Sequence, residues 1–169
     1  MIGYEDYPFA DAPPDLIDPW GCDTRECTSF CAWRISHDLG YRFQCLGNAR
    51  DWPLRAVGLG VRVDTRPTFG SVIALPPGVG GAGEWGHVAF VMRVNGDGTV
   101  FVEDYNYALA PTFAPDAYNQ HYLATRGAWF LHFEPAAAPP PPPCPPGYHF
   151  DTGRCEPFRP QVSLRGPWR

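Results

Sequence analysis

A thiol, an imidazole and a carboxylate are the side chains of a thiol nucleophile, its base and the group that orients the base. Cys27 follows Asp23-Thr-Arg-Glu26, in which Asp23 can cap a helix and Glu26, three residues on, can complete a capping box. That reading starts a helix at Asp23 and puts Cys27 one turn in, near unpaired N–H groups and the positive end of the helix dipole. His87 follows Gly86 at the end of a Gly-rich loop, 79–86, and opens an apolar strand. A strand end beside a loop is a frequent place for ligands. Glu103, Asp104 and Asn106 close the next strand and are the candidates to orient His87.

These residues need elements to bring them together. Phe30, Cys31, Ile35 and the aliphatic part of Arg34 make one apolar stripe on the first helix, and Gly40 stops it. Asn48 can cap a short second helix holding Ala49, Trp52 and Ala56, with Pro53 in or just after its first turn and Gly58 and Gly60 ending it. The pattern then turns to strands: 61–63, 70–75, 87–94, 99–107, 120–125 and 128–133. Asn95-Gly-Asp-Gly98 between two of them signals a hairpin. A two- or four-residue loop there sets Asn106 opposite His87 and Asp104 on the same face. A three-residue loop with a bulge at Gly98 brings Glu103 to that face instead. Both registers fit the sequence. Helices first and antiparallel strands later make the fold class α+β.

The 169 residues suit one ordinary domain with a short appendage. Residues 1–134 read as the main domain, opened by an extended, Pro-broken arm that packs Tyr4, Tyr7, Phe9 or Trp20 on it. Residues 135–143 end in five consecutive prolines and form a stiff spacer, and 144–169 are too few for a core without a cross-link. All 13 basic residues are Arg. Nine of them stand against sixteen carboxylates in residues 1–134, a net charge of −7, and four against two in the remainder, a net +2. An acidic main domain excludes nucleic acid as the expected partner, because phosphate binding needs clustered cations. No apolar run approaches the ~18 residues of a membrane span, and Met1–Tyr7 lacks the basic and apolar regions of a signal peptide. Of the six cysteines, Cys144 and Cys155 are expected to close a short loop by a disulfide, Cys22 and Cys45 can pair if the fold joins them, and Cys31 reads as a free buried thiol.

Arg25-Glu-Cys-Thr-Ser-Phe, Ala32-Trp-Arg, Gly47-Asn-Ala with Trp52, Gly86-His-Val-Ala and the hairpin ending Asn106-Tyr107 together resemble the CHAP domain, the cysteine, histidine-dependent amidohydrolase/peptidases of bacterial and phage cell-wall hydrolases. The resemblance runs in order from about Asp18 to Phe133. It implies a papain-like (NlpC/P60-type) fold and cleavage of an amide bond in peptidoglycan, by an N-acetylmuramoyl-L-alanine amidase or a crosslink endopeptidase. It implies Cys27 as nucleophile, His87 as base, Asp104 as the acid and Asn106 after it. The family more often has Glu where Asp104 stands, so a shorter side chain must reach or Glu103 must help. Action outside the cell or at the wall, or release at lysis from a phage, follows from the same resemblance. Some relatives bind calcium through Asp residues near the nucleophile; Asp18 here is followed by Trp20 and Cys22, so no metal and no cofactor are expected.

The chemistry asks for more than a helix end. A free thiol with a pKa of about 8.5 is mostly protonated at pH 7. A helix N-terminus supplies roughly 0.3–1 kcal/mol, less than one pKa unit, so an imidazolium is required to hold a thiolate. His87 would form that pair and then protonate the leaving amine, with Asp104 or Asn106 accepting from its other N–H. The oxyanion would lie against the Cys27 N–H and a second donor. Trp20, Trp85 and Tyr107 are expected to line the substrate groove, the protein to act as a monomer, and His37, His121, His132 and His149 to be surface or structural. The competing class is a wall-binding or adhesion module that keeps the fold without catalysis.

Overall fold

The computed structural model describes residues 6–107 and 115–134 and, further on, residues 146, 148–151 and 154–157. Two units divide the chain, Met1–Ala136 and Ala137–Arg169. The first contains α1 (Cys27–His37), α2 (Trp52–Gly58) and strands β1 (Arg62–Asp64), β2 (Val72–Leu75), β3 (His87–Val94), β4 (Thr99–Tyr105), β5 (Tyr118–Ala124) and β6 (Trp129–His132). The six strands form one sheet in the order β1-β6-β2-β3-β4-β5, every pairing antiparallel. The fold is α+β. The second unit contains an antiparallel hairpin, β7 (Tyr148–Asp151) with β8 (Arg154–Pro157). The expected Cys144–Cys155 bond, the proline run at 139–143 and Tyr4 lie outside the described residues.

α1 starts three residues later than the capping reading places it, its N-cap at Glu26 instead of Asp23. Asp23 is occupied in an isolated antiparallel bridge with Ile17, and Arg25 has a left-handed backbone, φ 64°, which a helix cannot pass through. The Arg25 N–H donates to the Tyr7 hydroxyl (3.1 Å), and its guanidinium donates to the Asp116 carbonyl (3.1 and 2.7 Å). Glu26 is therefore the N-cap residue, without a side-chain cap bond, and Cys27 is the first helical residue. The apolar stripe also widens. Cys31, Ala32 and Ile35 join the main core with Val72, Val88, Phe90 and Leu131, while Phe30 and Trp33 meet Tyr7 and Tyr105 on another side. The N-terminal arm covers that second side, so α1 is buried almost all round rather than amphipathic.

The sheet has two faces because its side chains alternate. One packs on α1. The other gathers Ile73, Leu75, Ala89, Val91, Val100, Val102, Leu123 and Phe130 in a second core. The β3–β4 hairpin uses both registers foreseen for it. Val94 pairs with Val100 and Arg93 with Phe101 beside a three-residue turn ending at Gly98 (φ 80°). A bulge at Met92 then shifts the pairing, so that Val91 meets Val102 and Phe90 meets Glu103. At the end of the sheet that carries His87, Asp104 is thus on the His87 face and Glu103 on the α1 face. There Glu103 pairs with Arg34 and accepts from Gln120 Nε2 (2.9 Å). Arg34, whose stem was expected to cover apolar surface, is buried head and all.

Candidate active site

Four segments converge on one cleft of about 630 Å³ in the first unit. The start of α1 brings Glu26, Cys27 and Thr28, the turn before α2 brings Gly47 to Ala49, the Gly-rich loop brings Gly81, Ala82, Gly83 and Trp85, and His87, Asn106 and Tyr107 complete it. Gly86 makes the closure possible. At φ 75°, a Cβ there would lie 2.7 Å from the Arg50 nitrogen and 2.9 Å from the Leu75 carbonyl oxygen, so only glycine lets the strand start sit this close to the turn before α2. The Arg50 N–H donates to the Trp85 carbonyl (2.8 Å) and seals that approach. Cys22 and Cys45, both on the cleft wall, are joined by a disulfide. It ties the segment leading into α1 to the one leading into α2. Cys27 and Cys31 are free and buried.

His87 is the centre of the arrangement and is buried. Its Nε2–H donates to Asp104 Oδ2 (2.9 Å), which leaves Nδ1 to meet the Cys27 thiol, with which the ring is hydrogen-bonded. Burial alone would lower the imidazole's pKa. The negative charge at Cys27 and the bonds to Asp104 and Cys27 outweigh it and push the value up to about 10. Asp104 is fully buried, and burial would raise its pKa. Bonds from His121 and His87 reverse that and hold the carboxyl below its ordinary range. Cys31, one turn behind Cys27, is pushed well up by burial.

Asn106, a candidate to orient His87, is bonded elsewhere. Its Nδ2 donates to Glu26 Oε1 (2.7 Å), and its Oδ1 accepts from the Asp116 N–H (3.1 Å). Its backbone is left-handed, φ 52°, a conformation Asn tolerates better than most residues. Glu26, read from sequence as half of a capping box, is instead a cleft residue beside Cys27. Burial holds its carboxyl above the usual value despite the Asn106 bond. Among the aromatics, Trp85 stands exposed at the rim with Arg50 over its ring at 4.7 Å. Tyr107 forms a wall, its ring 4.7 Å from that of His87 and its hydroxyl bonded to the Gly80 carbonyl. Trp20 packs edge-on against Phe9 (6.1 Å) and is not among the cleft-lining residues.

His121 was set apart in the sequence as surface or structural, yet it belongs to this cluster. Its Nε2–H donates to Asp104 Oδ2 at 2.7 Å, and its ring stacks on Tyr107 at 4.4 Å. The one sequence signal that could have found it was its place on the strand after β4, in a register that only pairing defines. The remaining histidines lie apart. His132 bonds Thr68 and Asp64, and His37 stacks on Trp33. The side chain of His149 lies outside the described residues. Asp18 Oδ1 accepts from the Trp20 and Cys22 N–H groups (2.9 and 2.8 Å) and so shapes the turn before α1.

A family model described as the CHAP domain matches residues 17–106, more than half of the chain. N-acetylmuramoyl-L-alanine amidase sle1 of Staphylococcus aureus (strain USA300) is 42% identical over 64 residues, which are 38% of this chain and 18% of that protein. A crystal structure of an N-acetylmuramoyl-L-alanine amidase from Staphylococcus aureus superposes with a TM-score of 0.61 at 21% identity, covering 79% of this chain and 37% of the other. That likeness establishes a shared fold. This chain spans about a fifth of the length of the sequence relative it matches.

Proposed function

The chain belongs to the CHAP domain family, and from that premise we propose that it hydrolyses an amide bond of peptidoglycan, with Cys27 as nucleophile and His87 as base. The observation that carries the reading is the chain of contacts from Cys27 at the first turn of α1, through the buried His87 ring, to Asp104 Oδ2 at 2.9 Å. With Asp104 accepting at Nε2, the ring presents Nδ1 to the thiol and takes its proton. The imidazolium so formed has a carboxylate behind it and a thiolate in front, which is why it resists deprotonation.

The thiolate adds to the carbonyl carbon of the scissile amide, and the carbonyl electron pair moves onto oxygen. The N–H groups of the first turn of α1, which have no acceptor within the helix, are the donors to that oxyanion, beginning with Cys27. The Nδ1–H of His87 passes to the leaving nitrogen, the C–N bond breaks, and a thioester on Cys27 remains. A water molecule then gives its proton to His87 and adds to the thioester, releasing a carboxylate and restoring the thiol. Asp104 stays ionised throughout and keeps the ring in one tautomer.

The names of the relatives, N-acetylmuramoyl-L-alanine amidases, support the amide between the lactyl carboxyl and L-alanine as the bond cut. Mass spectrometry of digested walls checks this: free lactyl carboxylates and new L-alanine amino termini are expected, whereas split stem or bridge peptides would mean an endopeptidase. A cell-wall site of action follows from that substrate. Cys27→Ala and His87→Ala, both folded, should release no wall fragments. Release at the wild-type rate from either would sink the proposal and leave the non-catalytic binding module as the better reading.

A further inference from the structure

We propose that His121 is a positioning residue for this reaction, holding Asp104 in the rotamer that orients His87; the inference rests on the hydrolase reading above. Asp104 is reached from both flanks of β4. From β3, His87 Nε2–H donates to Oδ2, and from β5, His121 Nε2–H donates to the same oxygen. Asn119, also on β5, donates to Oδ1 at 3.1 Å and is itself fixed by a bond from the same nitrogen to the Ala117 carbonyl (3.1 Å). An aspartate has one methylene less than a glutamate, so its carboxylate meets the histidine only from a narrow range of side-chain angles. Donors placed on the far strand restrict it to that range.

The ring of His121 is itself held. It lies nearly parallel to Tyr107, 16° between planes, and Tyr107 also touches His87 and bonds the Gly80 carbonyl. Two imidazoles, one phenol and one carboxylate thus form a single packed group. The imidazole of His121 meets the carboxylate behind His87, while the Cys27 thiol meets His87 itself. It acts through Asp104.

His121→Phe keeps an aromatic ring against Tyr107 but has no N–H donor, and His121→Gln keeps a donor of similar reach without the ring. On purified peptidoglycan with the full chain, His121→Phe should lower kcat about tenfold to a hundredfold with KM unchanged, the scale of a misplaced catalytic group. Its thermal midpoint should stay near wild type, and His121→Gln should restore kcat close to wild type. Wild-type kcat in His121→Phe overturns the inference. So does a His121→Gln enzyme as impaired as His121→Phe, which would mean that the ring's packing and not its donor matters. If His121→Phe melts early, His121→Met, flexible and equally without a donor, replaces it with the same outcomes. Cys27→Ala and His87→Ala run alongside: hydrolysis by these overturns both readings, whereas inactive controls with a fully active His121→Phe overturn this one alone.

Discussion

Glu103 and Asp104 are consecutive residues of β4, both buried, both ionisable, and they do different work. Glu103 points to the α1 face and closes an ion pair with Arg34, whose guanidinium also bonds Asp38 (2.5 Å) and lies over the Phe90 ring at 5.1 Å. Asp104 points to the other face and accepts from His87, His121 and Asn119. One carboxylate fastens the helix that carries Cys27, and the other fastens the ring that faces Cys27. The alternation of a strand divides the Arg34 contact from the His87 contact between neighbours, and a shift of one residue would exchange them.

The largest effect expected from breaking that division is on rate. Asp104→Asn leaves the shape but presents an amide to His87, and wall hydrolysis should fall on the order of 10⁴-fold, as when an orienting carboxylate is neutralised elsewhere. Glu103→Ala should instead cost about 3–5 kcal/mol of stability by leaving Arg34 buried and partly unpaired, read from denaturant unfolding. Its folded molecules should turn over substrate near the wild-type rate. If Glu103→Ala destroys activity at unchanged stability, the division is wrong. Next in size, replacing Cys22 and Cys45 together by Ser removes a loop closure spanning 23 residues and should cost about 3 kcal/mol in the same measurement. Asn106→Ala, which breaks bonds to Glu26 and Asp116 but none to His87, should cost only about 1 kcal/mol per bond and leave the pH dependence of activity in place.

A further expected signal is a slope. The folded pKa of His87 is raised from 6.5 to about 10, so its contribution to stability is complete below about pH 6.5 and is lost as pH climbs toward 10. Asp104 is lowered from 3.8, so its contribution is present above that value and is lost as pH falls through the folded one. Stability supplied by the pair should be flat between those limits and decline on both sides. His87→Ala should remove the alkaline decline in a series of unfolding measurements from pH 6 to 10, and an unchanged decline would assign it to other groups.

Much of this was legible from local pattern. An apolar run bounded by turn residues set β3 at His87–Val94, and the Gly-His pair at the end of a Gly-rich loop marked His87 as the candidate base. The start of α1 was misread because Asp23 and Glu26 satisfy a capping rule that depends only on spacing. Whether Asp23 is free to cap depends on Ile17, and whether Arg25 can be helical depends on Tyr7 and Asp116. Trp20 was assigned to the groove by type alone, and it packs edge-on against Phe9.

By itself the sequence determined which residues could do chemistry: a thiol before an apolar helix, an imidazole at a strand start, and acids at the end of the partner strand, because these depend on residue type and short-range spacing. Tertiary structure alone decided which acid serves His87. The turn at Gly98 favours one register and the bulge at Met92 restores the other, and a bulge is a matter of how the whole strand packs. The same holds for His121. It reaches Asp104 across the β4–β5 pairing from 17 residues away, and no local rule carries information over a separation of that length.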